Sequence, residues 1–325
     1  MNQTRKIRWL IAHEPVELFL RTAEAFAEKL AELTDNKFEV EIFTPTEYCN
    51  SKYEPHVLTT DKSTVDPMVS MEAGDLEMSQ LHITELARWH SPEFYALELP
   101  FLFRDHDHAA RVLEGEIGKS MLYNLKDRSP ARGLAFTYSG GFRVVASEHE
   151  VHTLEDLKGV TFATGTNPVT IDTIEALGAT PEVFEIRDFI KKTSEEGHAS
   201  NALETTIPRY LASFANTDKK CITNTKHSLF LTSVIVSNTF WNSLDTETKR
   251  YFQEAANYAS KLERHWSVQE AEEFAATTEK HEAIGVTYTE LAAEETAKFK
   301  QLVQPIYDKY TEFFTPGLVD GIIKS

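Results

Sequence analysis

The chain has 325 residues, 33 of them Lys or Arg against 51 Asp or Glu, for a formal charge of −18 with histidine neutral. Its 41% hydrophobic and 26% charged content is that of a folded globular protein, and the length suits two domains. The negative charge repels a phosphate backbone and no run approaches the ~20 apolar residues that span a bilayer, which excludes nucleic-acid binding and direct membrane insertion.

Met1 to Lys6 leads into a strand-like Ile7–Ala12 with no apolar core before a cleavage site, so the start is no signal peptide. The chain is then either cytosolic or a mature form whose leader was removed. After a turn at Glu14-Pro15, Phe19, Ala23, Phe26, Ala27 and Leu30 recur at helical spacing, and Phe38–Phe43 alternates with period two. This opens a sheet with helices on its faces. Ser70–Met78 reads as a helix end, a break at Gly74 and a short strand. Leu97–Phe103, apolar around Pro100, reads as a buried extended segment, with Asp105 capping a helix from His106 to Leu113. Leu134–Tyr138 and Arg143–Ser147 are strand-like on either side of Ser139-Gly140-Gly141. A second β-α-β unit starts at Val160–Ala163, with its helix from about Val169 to Leu177. Leu229–Val236 is β-branched and apolar, as a central strand would be. From about Asn242 to Ala283 the pattern is helical without Pro or Gly, with Tyr251, Phe252, Ala255, Ala256, Ala259 and Leu262 in one stripe. Two α/β lobes tied by a long helix is the expected architecture.

Motifs for catalysis are missing: no G-x-S-x-G, no P-loop, no G-x-G-x-x-G after a strand. His13-Glu14 begins an H-E-x-x-H pattern, but Glu17 stands where the second histidine belongs. His106-Asp107-His108 and His149 with His152 read as polar turns rather than metal ligands. No catalytic residue, metal or cofactor is expected. Cys49 and Cys221 fit no C-x-x-C pattern and read as two unpaired thiols.

Leu99-Pro100-Phe101-Leu102-Phe103-Arg104-Asp105, then His108-Ala109, Val112-Leu113 and Gly115-Glu116-Ile117-Gly118, resemble the signature stretch of TRAP-transporter (tripartite ATP-independent periplasmic) solute-binding proteins. Gly74–Met78, Gly141-Phe142-Arg143, Leu154–Gly159, Glu175–Pro181, and His227 with Asn238 and Trp241 are similar to further family patterns, in order. The resemblance implies an α/β, two-lobed periplasmic-binding-protein-like fold with crossing strands and a long helix spanning both lobes. It divides the chain into 1–140 with about 222–255, 141–221 with about 256–300, and a C-terminal helical segment 301–325. It also implies a periplasmic monomer, an interlobe cleft that closes on a small organic acid, and membrane subunits that receive the solute.

The family's carboxylate-binding arginine falls, counted from Leu157-Lys158-Gly159, at Ala163, which makes the site atypical. Arg143 matches a second cleft arginine, and a guanidinium meets a carboxylate through two parallel charge-assisted hydrogen bonds. The candidate ligand contacts are Arg143, Thr164, Thr166, Asn167 and Thr205, with His13 and Glu14 after the first strand, Gln80 after the third, and His227. Replacing Arg143 with alanine is expected to abolish ligand-induced stabilisation with little effect on the unliganded protein. A polyol, sugar or amine is the alternative ligand, in which case Glu14 and Glu204 matter more. A two-lobed α/β enzyme is the alternative from another class.

Overall fold

A computed structural model describes residues 4–11, 16–51, 65–185, 189, 192–193 and 200–325. Its strands are β1 (Arg5–Ile11), β2 (Phe38–Phe43), β3 (Met78–His82), β4 (Ala131–Phe142), β5 (Val144–Ser147), β6 (Thr161–Thr164), β7 (Thr180–Val183), β8 (Ala202–Thr205), β9 (Cys221–Asn224), β10 (Leu229–Ser237) and β11 (Thr287–Glu290). They build two sheets, ordered β2-β1-β3-β10-β4 and β11-β9-β5-β8-β6-β7. The chain divides into two compact units: residues 1–91, 110–138 and 231–265, and residues 92–109, 139–230 and 266–325. In this division residues 92–109 and 301–325 fall in the second unit. β4, β10 and the long helix each contribute residues to both units.

In the first unit β1 pairs in parallel with β2 and β3, and β10 runs antiparallel to β3. The helix α1 (Val16–Thr34) covers this sheet because Phe19, Ala23, Phe26 and Leu30 fall on one face, and all four are buried. Phe26 packs 5.2 Å from the Trp9 ring and 5.8 Å from Phe252. Each such side chain contributes roughly 1.5–3 kcal/mol of burial. The helix α2 (Pro67–Ala73) starts under the Asp66 side chain and stops at Gly74, which turns the chain with φ +84°.

In the second unit β6 lies parallel to β7 and β8, and β5 runs antiparallel to β8 and β9. Side-chain alternation sorts its residues into two buried faces. Val144, Ala163 and Leu203 join one apolar cluster, while Val145, Phe162 and Ala202 join the other. The helix α3 (His106–Glu114) begins under Asp105, whose carboxylate accepts the His108 N–H at 2.6 Å. The helix α4 (Pro168–Ala176) follows β6, and its N-cap is Asn167.

Three sequence expectations change. Ser139-Gly140-Gly141 does not break the chain: β4 continues through it, with φ of +96° at Gly140 and +87° at Gly141. Leu97 and Glu98 close a 3-10 turn, so the segment around Pro100 is not extended from its start. The long helix is α5 (Thr246–Ala276), roughly 46 Å at 1.5 Å per residue, and a separate α6 (Thr278–Ile284) follows after Thr277 leaves helical geometry with ψ 94°. Inside the first unit the α5 residue Glu263 accepts the Tyr138 N–H of the edge strand β4 at 2.5 Å. Inside the second, the α5 residue Ser267 accepts the Gly140 N–H at 3.2 Å. The edge strand thus hands spare donors to a helix instead of leaving them for another chain. Among the described residues no helix is long and apolar enough to cross a membrane.

Candidate functional site

Arg143 follows β4 directly, its own N–H bound to Ser228 O at 2.8 Å. The side chain is only 5% exposed. Its Nη1 donates to Glu204 Oε1 at 3.0 Å, its Nη2 lies 3.9 Å from Glu98 Oε2, and its guanidinium carbon sits 4.1 Å from the centre of the Phe230 ring. The guanidinium of Arg209 approaches the same ring at 4.8 Å. A charge this deep is tolerated because it is paired and bonded.

Glu204 brings the partners together because β8 lies beside β5 with Val145 opposite it. Its second oxygen is 3.1 Å from His227 Nε2, while His227 Nδ1 lies 2.7 Å from Thr225 Oγ1. Burial works to raise the Glu204 pKa, but the charge of Arg143, the hydrogen bond and charge of His227 and the charge of Arg209 together hold it below the ordinary carboxylate value. Glu204 is therefore ionised at neutral pH. A small cavity is lined by Glu98, Glu204, Thr225 and His227.

The other expected contacts scatter. Thr164 shares the Phe162 face of β6, and its hydroxyl is buried with no hydrogen-bond partner among the described residues. Thr205 points from the opposite face of β8 to Glu204, as its pairing with Val144 requires, and reaches only the neighbouring Thr206 O at 3.4 Å. Asn167 spends its side-chain carbonyl on the Val169 N–H at 3.0 Å, capping α4. Thr166 is half-buried beside that cap. Gln80 lies in the first unit, fully buried, where its amide donates to Thr137 Oγ1 at 2.9 Å and Thr232 Oγ1 at 3.0 Å. His13 and Glu14 lie outside the described residues.

Ala163 has no exposed surface and sits in the apolar cluster with Leu203, Tyr210, Phe214 and Phe274. The space beside it is filled by core, not left open for a bulkier ligand. The expectation for Arg143→Ala also changes. Removing a guanidinium bonded to a buried glutamate orphans that glutamate, at about 3–5 kcal/mol, so the unliganded protein is destabilised too. Glu98, Thr225, Ser228 and Arg209 escaped the sequence reading because no local motif marks them. Their only signal is long-range pairing between strands and loops.

Cys49 and Cys221 form no disulfide among the described residues. Among the described residues no group of three His, Cys, Asp or Glu side chains is placed to hold a metal ion.

Residues 12–312 match the family model for bacterial extracellular solute-binding proteins, family 7. The chain is 24% identical over 308 residues to a C4-dicarboxylate-binding protein of Bacillus subtilis, covering 93% of this chain and 81% of that protein. It is 23% identical over 296 residues to a C4-dicarboxylate-binding periplasmic protein of Rhodobacter capsulatus, covering 89% and 81%. Among solved structures, a TRAP periplasmic solute-binding protein from Ochrobactrum anthropi superposes with a TM-score of 0.81 at 24% identity, covering 100% of this chain and 95% of that one. One from Sulfurospirillum deleyianum with bound succinate gives 0.81 at 22% identity, with 98% of each chain covered. These likenesses establish a shared two-lobed α/β fold, and the family is one of solute-binding transport proteins, not enzymes. With the family model running through both units, the chain belongs to the bacterial extracellular solute-binding proteins of family 7.

Proposed function

We propose that this protein is the periplasmic receptor of a TRAP transporter, a monomer that captures a small organic acid and delivers it to membrane subunits. The reading rests above all on the family match across residues 12–312, together with a buried guanidinium at Arg143. Relatives and neighbours named for C4-dicarboxylates or holding succinate supply the ligand class. In this reading Arg143 grips the carboxylate, Thr164, Thr166, Asn167 and Thr205 supply neutral donors and acceptors, and His13, Glu14, Gln80 and His227 are further proposed contacts. Micromolar affinity needs about 8 kcal/mol, within reach of one charge-assisted pair, a few hydrogen bonds and apolar burial.

A second reading, a polyol, sugar or amine ligand, is favoured by one observation: Glu204 already occupies Arg143. A thermal-shift screen of acids, sugars, polyols and amines separates the two. The acid reading expects carboxylates to raise the melting temperature, and Arg143→Lys, which keeps the charge but loses the fork, to remove most of that rise. Stabilisation by uncharged sugars alone would contradict it. Recovery of the bound compound unchanged by mass spectrometry separates a receptor from a two-lobed enzyme.

A further inference from the structure

We propose that a groove beside Arg132 docks an acidic segment of a partner protein, with the Arg132 guanidinium taking one of its carboxylates. The groove lies wholly within the first unit and shares no residue with the candidate ligand contacts, so the proposal stands apart from the receptor reading. Its walls are the end of α3 with the helix Glu116–Asn124, the β4 residues 132–136, and the α5 residues from Gln253 to Arg264, around a space of about 770 Å³. Arg132 is half-buried among them. Its guanidinium carbon lies 5.1 Å from the centre of the Trp241 ring, and its Nε is buried with no hydrogen-bond partner. Among the described residues no carboxylate forms an ion pair with it. Burial pulls its pKa down, opposed through space by Tyr123 and Asp127. A buried donor left unpaired is costly, and native proteins rarely keep one that water, an ion or a ligand does not fill. The contact with Trp241 gives Nε no acceptor, so the guanidinium edge that a carboxylate takes two N–H groups at a time stays available.

The charge around Arg132 has the same sign. Lys119, Arg132, Lys261 and Arg264 line the groove against Glu114 and Glu116, in a chain whose formal charge is −18. Glu114 is shared between Lys261, at 3.8 Å, and Arg264, while Glu116 meets Lys119 at 3.9 Å. Salt screens the distant negative charge over roughly 8 Å at physiological ionic strength, so a docked segment responds to this local surplus. Asn257 accepts from Gln253 at 3.0 Å through its side-chain oxygen and keeps its amide nitrogen as a further donor. Magnitude decides between a free acid and a chain segment. One charge-assisted pair on a half-exposed arginine is worth roughly tenfold to a hundredfold in binding, short of the roughly thousandfold that even millimolar capture needs. A segment adds further carboxylates for the lysines and covers the ring of Tyr123, which is 61% exposed. Tyrosine, tryptophan and arginine together are the composition of an interface anchor.

The test is calorimetric titration of the full chain, at about 0.15 M salt, with an end-blocked hexaglutamate peptide, hexaglutamine as the neutral control and glutarate as the free acid. Hexaglutamate is expected to bind at one site and at least roughly tenfold more tightly than either control. Arg132→Gln is expected to weaken it roughly tenfold or more, and Arg132→Lys, which keeps the charge without the fork, severalfold. Lys261→Gln, which removes an exposed charge, is expected to cost no more than about threefold. The lysine variant carries the test if Arg132→Gln does not fold. Hexaglutamine binding as tightly as hexaglutamate, or no weakening in either Arg132 variant, would overturn the proposal. Glutarate binding as tightly as the peptide would make the groove a small-acid site and overturn the protein partner. Self-association of the unmodified chain in sedimentation, lost in Arg132→Gln, would give the groove to a second copy and overturn it likewise. None of these outcomes bears on solute capture at Arg143.

Discussion

Arg143 and Glu204 are 61 positions apart in sequence and 3.0 Å apart in the fold, and each makes the burial of the other tolerable. Because Glu204 is held below the ordinary carboxylate pKa, its contribution to stability is complete above the unfolded-state value of about 4.3 and is lost as pH falls through the lower folded value. Thermal melts from neutral pH downward are expected to show a steep acid loss, shallower in Glu204→Gln; equal slopes would dissociate Glu204 from acid stability. Ala163 yields a second prediction. An arginine there enters an apolar cluster with no carboxylate in it, so Ala163→Arg is expected to lose several kcal/mol in urea unfolding, or not to fold. Arg143 was legible in the sequence because it follows a glycine-rich turn signal within a known pattern. Its partner was not, since β5–β8 pairing is a long-range event that no local spacing reports.

At the level of elements, periodicity carried most of the reading. The α1 stripe appears where the residues place it, because one face of the helix must be buried, and β2 forms where its alternation puts a strand although none of its residues is fully buried. Glycine misled at 140–141, where two positive φ values sit inside a strand rather than ending it. A Cβ on Gly140 would stand 2.3 Å from Thr206 Oγ1, the hydroxyl that donates to Ser139 O at 2.6 Å. Gly140→Ala is therefore expected to cost at least ~1–3 kcal/mol, from the left-handed backbone and the clash combined, measured by chemical denaturation. A near-neutral result would mean that β4 and Thr206 move apart freely. The long helix was overextended for the opposite reason: nothing in the composition of Thr277 marks a break, and only the backbone turn there separates α5 from α6.

For the whole molecule, the strong negative charge argued against nucleic acid at the outset, and the ordered motifs from Gly74 to Trp241 pointed to the family that residues 12–312 match. Ligand identity was less legible, because buried pairs such as Arg143–Glu204 form between strands distant in sequence and no motif reports them. A receptor gains stability from its solute by mass action, about 2.7 kcal/mol at a hundredfold excess over Kd. The most direct measurement is isothermal titration of the purified chain with small carboxylates, simple and amino-substituted, followed by mass analysis of the ligand. Saturable one-to-one binding of an acid returned unchanged is the predicted result. Binding by none of these acids, or their chemical conversion, would contradict capture of a small organic acid by a transport receptor.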